Sequence, residues 1–84
     1  MEKVLTFKPQ NTCSSEIKVK VENDILLSVE FTGGCNGNLQ GISQLVSGMA
    51  IEDVLCRLEG IRCGHKTTSC PDQLCKAIRL LKDQ

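Results

Sequence analysis

The 84-residue chain has no tryptophan and no tyrosine, and Phe7 and Phe31 are its only aromatic residues. So few aromatic faces leave no platform on which unpaired bases would stack. Net charge is also missing. Ten basic residues balance ten acidic ones, and the signs stay mixed, with four basic and five acidic groups in residues 1–42 and six and five in residues 43–84. No electrostatic footprint for a nucleic acid results. No stretch approaches the ~18 apolar residues of a membrane span, and the opening segment meets Lys8 and Pro9 before a run of signal-peptide length can form. The expectation is a single domain over residues 1–84 that touches neither nucleic acid nor membrane and works in the reducing cytoplasm, with its oligomeric state open.

What the chain does have is six cysteines: Cys13, Cys35, Cys56, Cys63, Cys70 and Cys75. A domain this short buries only about 60–65% of its unfolded surface, and natural domains of this size often add disulfides, a metal or a partner subunit. In a secreted chain the even set would read as a disulfide framework. In a reducing compartment it reads as metal ligation or redox chemistry, against the plainer alternative that free cysteine packs as a small hydrophobe.

The hydrophobic pattern divides the chain into elements. Lys3 to Lys8 reads as a short strand closed by Pro9-Gln10-Asn11. Ile17, Val19 and Val21 alternate with Lys18 and Lys20, and Ile25, Leu27, Val29 and Phe31 share one parity beyond Asn23-Asp24. This is a β-hairpin with one buried face. Directly opposed residues share a face, so the apolar positions match when Ile17 meets Phe31, Val19 meets Val29 and Val21 meets Leu27. Carried outward unbroken, the same register sets Cys13 against Cys35.

The glycine-rich turn Thr32 to Asn38 leads into a helical pattern of Leu39, Ile42, Val46 and Met49, with Leu45 beside it. The lysine and hydroxyl of a phosphate-binding loop are absent, as is the G-x-G-x-x-G order. A second helix fits Ile51 to Glu59, with Gly60 as its stop and Cys56 at the edge of its apolar stripe, where packing is the expected role. The third begins in Ser69-Cys70-Pro71-Asp72, which combines a serine cap, a proline in the first turn and an acidic residue three after the serine. Leu74, Ala77, Ile78 and Leu81 follow at helical spacing, and Cys75 flanks them in a structural position. The predicted fold is therefore α+β: an antiparallel sheet of about three strands, a strand and then a hairpin, followed by two to three helices packed on one face.

Four cysteines fall outside these elements or at their ends: Cys13 before a strand, Cys35 in the glycine turn, Cys63 in Ile61-Arg62-Cys63-Gly64 and Cys70 at a helix start. Loops and element ends are where ligands are usually presented. The first turn of a helix also favours a thiolate at Cys70 through the helix dipole. Four thiolates make a closed tetrahedral zinc site. Intervals of 21, 27 and 6 residues, with no C-x-x-C pair, make the spacing itself a weak signal. His65, two residues after Cys63, is a candidate replacement ligand.

Thr68-Ser69-Cys70-Pro71-Asp72 resembles the signature of the TSCPD-domain family, which occurs as small stand-alone proteins and as the C-terminal domain of adenosylcobalamin-dependent ribonucleotide reductases. Lys8-Pro9-Gln10 with Cys13-Ser14, Gly33 through Ile42, and Ile61-Arg62-Cys63-Gly64 extend the likeness over most of the chain. The family's motif cysteines fall on Cys13, Cys35, Cys63 and Cys70, the same four chosen by position. A weaker likeness is to iron–sulfur cluster scaffold proteins of the IscU and NifU N-terminal type, with Cys13, Cys35 and Cys70 in matching order. There Ser14, Ser15 and Glu16 stand where the scaffold's aspartate is expected, and Ser69 stands where its histidine is.

The resemblance implies the name ribonucleoside-diphosphate reductase, yet 84 residues are too few for that catalytic subunit, given ~100–200 residues per domain. The expected role is accessory: a cysteine-ligated zinc domain that docks on a ribonucleotide reductase catalytic chain or another redox protein. Structural zinc supplies ~10–16 kcal/mol of apparent binding energy at neutral pH, enough to offset a thin core. The alternatives are a thiol-disulfide module, with Cys13 and Cys35 as a reversible pair or Cys70 as attacking thiolate, and an iron–sulfur cluster scaffold or carrier.

Overall fold

The computed structural model describes residues 2–10, 12, 14–34, 36–62 and 64–83. Three strands, β1 (Lys3–Phe7), β2 (Ser14–Glu22) and β3 (Ile25–Gly33), precede three helices, α1 (Asn36–Val46), α2 (Ile51–Leu58) and α3 (Cys70–Lys82). The sheet is antiparallel in the order β1-β2-β3, with β2 in the centre. The expected α+β class and strand-then-hairpin order are therefore present.

The period of two in β2 has the result it predicts. Ile17, Val19 and Val21 are buried, while Lys18 is exposed and Lys20 half-buried on the other face. Across the ladder Ile17 meets Phe31 and Val19 meets Val29, as the apolar matching requires. The expected pair Val21 with Leu27 does not form. Val21 meets Leu26, and the ladder shifts between Lys20 and Val21.

Two local demands conflict there. Asn23 and Asp24 both have positive φ, 53° and 64°, which is the backbone of a two-residue type I′ loop whose twist suits a hairpin. Such a loop sets Glu22 opposite Ile25, one residue out of step with the apolar alternation. A bulge between the two registers satisfies both. Its consequence is that Leu26, not Leu27, is fully buried.

The helices cover the apolar face. α3 is the inner helix, lying against β1 and β2 on one side and α2 on the other, and α1 lies on β3. The outer edge of β3 is covered at its start, up to Leu27, by the segment joining α1 to α2. Gly48 N–H donates to Leu26 O at 2.7 Å, Leu26 N–H to Met49 O at 2.8 Å and Ile51 N–H to Asp24 O at 2.9 Å. The Ser47 hydroxyl donates to the carbonyl of Leu27 at 2.9 Å. Over this stretch the backbone groups of the edge have partners. Met49, expected to continue the helical stripe, instead lies in this link, because α1 ends at Val46 and Gly48 takes a φ of 87°.

The core joins Ile17, Val19, Val21, Leu26 and Val29 of the sheet to Val46, Ile51, Val54 and Leu55, and to Leu74, Ala77, Ile78 and Leu81 of α3. Leu45, beside the α1 stripe in sequence, is 78% exposed. Among the described residues no helix is long and apolar enough to cross a membrane.

Candidate cysteine site

The first turn of α3 is buried although it is polar. Thr68, Ser69, Asp72 and Gln73 are all at least nine-tenths buried, a position such side chains occupy only when hydrogen-bonded. Ser69 caps the helix, its Oγ accepting from Asp72 N–H at 3.2 Å, and Pro71 follows inside the first turn. Both features match the helix-start signature in the sequence. The carboxylate of Asp72 has a different task from the local one the capping pattern suggests. Its Oδ2 accepts from the Thr68 hydroxyl at 2.5 Å, and its Oδ1 accepts from Gly60 N–H, 12 residues earlier, at 2.7 Å. Gly60 turns away from α2 with a φ of 90°, a conformation that glycine adopts without strain. The connection between α2 and α3, which carries Cys63, is thus tied to Asp72 at both ends.

Gln73 makes a second tie. Its Nε2 donates to Thr68 Oγ1 at 2.9 Å, and its Oε1 accepts from Gln10 N–H at 3.1 Å across 63 residues of sequence. Gln10, Gln73, Thr68, Asp72 and Gly60 therefore form one continuous chain of hydrogen bonds. The Thr68 bond, joined by that from Gly60, holds the Asp72 carboxyl below the ordinary carboxylate range despite the opposing effect of burial. Among the described residues no buried side-chain nitrogen or oxygen lacks a partner.

Of the four cysteines proposed as ligands, Cys70 lies at the start of this turn and is half-buried. Its sulfur is 3.2 Å from the hydroxyl of buried Ser14, at the start of β2. Ser14 in turn pairs with Gly33 at the end of β3, where Gly33 and Gly34 take φ values of 80° and 77°. Cys13, Cys35 and Cys63 lie outside the described residues. The unbroken register that set Cys13 against Cys35 is not kept, because the ladder shifts again between Ser14 and Glu16, with Glu16 opposite Thr32 but Ser14 opposite Gly33. His65, the alternative ligand, is exposed.

The two remaining cysteines have different surroundings. Cys75 is fully buried between α3 and α2, its sulfur 3.9 Å from Val54 O. Burial, reinforced by the charges of Glu59 and Asp72, pushes its thiol up to about 12, which keeps it protonated and makes it a packing group, as its flanking position suggested. Cys56 is exposed, contrary to the packing role expected for it. At about 100° per residue it points away from the stripe of Ile51, Val54, Leu55 and Leu58. Nearby, Arg79 grips Glu59 with two hydrogen bonds, Nε to Oε2 and Nη2 to Oε1, which lower the glutamate's proton affinity and fasten α3 to the end of α2.

The family model described as the TSCPD domain matches residues 2–82. The chain belongs to the TSCPD domain family. No curated protein and no solved structure matches the chain. The Thr68–Asp72 stretch of this TSCPD domain coincides with the buried polar turn, so its threonine and aspartate are partners in one network and its serine is the helix cap. Sequence reasoning found the cap and missed Gln73, Gln10 and Ser14. The available signal was two polar residues, Asp72 and Gln73, directly before the apolar stripe of α3 in a first turn destined for burial.

Among the described residues no group of three or more histidine, cysteine, aspartate or glutamate side chains is gathered to hold a metal. Asp72, the acidic side chain nearest Cys70 in sequence, has both oxygens engaged, so it is not available to complete a donor set. Cys70 is the described member of the expected cysteine set, and the Ser14 hydroxyl lies within hydrogen-bond distance of its sulfur.

Proposed function

We propose that this TSCPD domain is a small zinc-binding module ligated by Cys13, Cys35, Cys63 and Cys70, acting in the cytoplasm as an accessory or docking domain for a ribonucleotide reductase catalytic chain or another redox protein. The observation that carries this reading is the meeting of Ser14, Gly33 and the first turn of α3 at one end of the sheet. Cys13 directly precedes Ser14 and Cys35 lies two residues beyond Gly33 in the sequence, and this adjacency supports the reading. The link from Gly60 to Asp72 brings the root of the Cys63 connection to the same turn. Four thiolates suit a closed tetrahedral zinc ion. The resulting double negative charge has Arg62 and Lys66 close in sequence to offset part of it. The association with nucleotide reduction rests on the family resemblance.

The test is anaerobic purification without a chelating tag, followed by measurement of zinc, iron, free thiols and the visible spectrum on one sample. The expected result is colourless protein with one zinc per chain, and loss of that zinc in Cys13→Ser and Cys70→Ser. Brown protein containing iron would replace this reading with a cluster scaffold. Metal-free protein with six titratable thiols would refute both.

A further inference from the structure

Leu45 is the most exposed large apolar side chain among the described residues, at 78%. It follows Ile42 at i+3, which places the two on one flank of α1. α1 lies on β3 and α2 on α3, and between the two helices an apolar groove of about 370 Å³ remains. Ile42, Leu45 and Met49 line it from α1 and the link that follows, Val54 and Leu58 line it from α2, and the exposed Arg57 stands beside them. Contiguous apolar surface bordered by charge marks a site of association.

Two charges on α2 are left unused within the chain. Glu52 is paired with Lys82, and Glu59, just beyond the helix, with Arg79, whereas Asp53 and Arg57 are exposed and in no ion pair with a described residue. Four positions apart, they lie on one side of the helix with the acidic residue first. That order complements itself. Two copies of α2 running antiparallel across a two-fold axis set Arg57 of each against the partner's Asp53, the reciprocal contact that an isologous interface requires. A rim of one sign would select a partner of the other sign, while a rim with one charge of each sign selects its own copy. The apolar surface is self-complementary in the same way, with projecting Leu45 and the groove beside it on one face. The zero net charge of the chain sets no overall repulsion between copies, and small domains commonly supplement a thin core by oligomerisation.

We infer that the α1–α2 groove docks a second copy of this chain, in a two-fold dimer in which Leu45 of each copy enters the partner's groove and the Asp53–Arg57 pairs fix the antiparallel orientation. Exposed ion pairs contribute little affinity, so burial of Leu45 drives the association and the charges set its register. The dimer does not depend on the zinc reading above.

The experiment is sedimentation equilibrium of the full chain up to about 1 mM, under reducing conditions so that exposed Cys56 cannot cross-link. Wild type should approach twice the 9.2 kDa mass of one chain as concentration rises. Leu45→Lys, a change at an exposed position outside the core, should keep the far-ultraviolet circular dichroism of wild type and remain at the mass of one chain. Asp53→Arg and Arg57→Asp each oppose like charges across the axis. Each should be monomeric alone, and the two should form a dimer when mixed, because the mixture restores both pairs. Wild type that stays at the mass of one chain overturns the dimer and leaves the groove to a different partner. Undiminished dimerisation of Leu45→Lys overturns the location, and single charge variants that do not dimerise on mixing overturn the antiparallel pairing.

Discussion

The two halves of α3 both bury side chains, and the buried side chains are of opposite kinds. From Leu74 to Leu81 the inward face is Leu74, Cys75, Ala77, Ile78 and Leu81, while the first turn buries Asp72 and Gln73, with Thr68 and Ser69 just before it. The apolar half is stabilised by removal from water, which is non-directional and tolerant of which neighbour supplies the cover. The polar half is stabilised only if each donor meets its own acceptor, so it specifies which loop lies where. Cohesion comes from one half of the helix, and the placement of the cysteine-bearing connections comes from the other.

Three substitutions would break or sharpen that contrast. Leu74→Ala, at a site with no exposure, should cost ~2–5 kcal/mol in urea unfolding, and a loss below 1 kcal/mol would mean that the apolar half does not carry the stability assigned to it. Asp72→Asn should cost less, ~1–3 kcal/mol, because it leaves one of the Gly60 and Thr68 donors without an acceptor. Its pH dependence gives the sign. The folded Asp72 carboxyl is held below its ordinary value by Thr68 first and Gly60 next, so its contribution is complete above the ordinary value of ~3.9 and disappears as pH falls through the lower folded value. The gap between wild type and Asp72→Asn should therefore narrow in acid, and a gap that stays constant from neutral pH into acid would show that the carboxylate charge is not what holds the connection.

The smallest effect belongs to Cys56, whose replacement by serine should stay within ~0.5 kcal/mol because it is exposed. Alkylation of the native protein should mark Cys56 quickly and spare Cys75, whose buried thiol stays protonated up to about 12. Modification of Cys75 without unfolding would contradict its place in the core.

Much of this was legible in local pattern. Ile17, Val19 and Val21 marked β2 by alternation, Ser69 with Pro71 and Asp72 marked the start of α3, and the spacing of Leu74, Ala77, Ile78 and Leu81 marked its buried face. Cys56 follows Leu55 directly, but a step of about 100° per residue carries it off the stripe of Ile51, Val54, Leu55 and Leu58, and it is exposed. Cys75 has a similar flanking position on a helix covered from two sides, and it is buried.

The sequence by itself determined the element types, the apolar faces and the helix cap, since each depends on residues within a few positions of one another. Only the tertiary structure decided the hairpin register at Val21 and Leu26, where the two-residue loop and the apolar alternation disagree and a bulge reconciles them. It alone also decided the partners of Asp72 and Gln73, which lie 12 and 63 residues away at Gly60 and Gln10. A buried hydrogen bond needs a specific atom at a specific distance, and which atom arrives there is settled by the path of the whole chain.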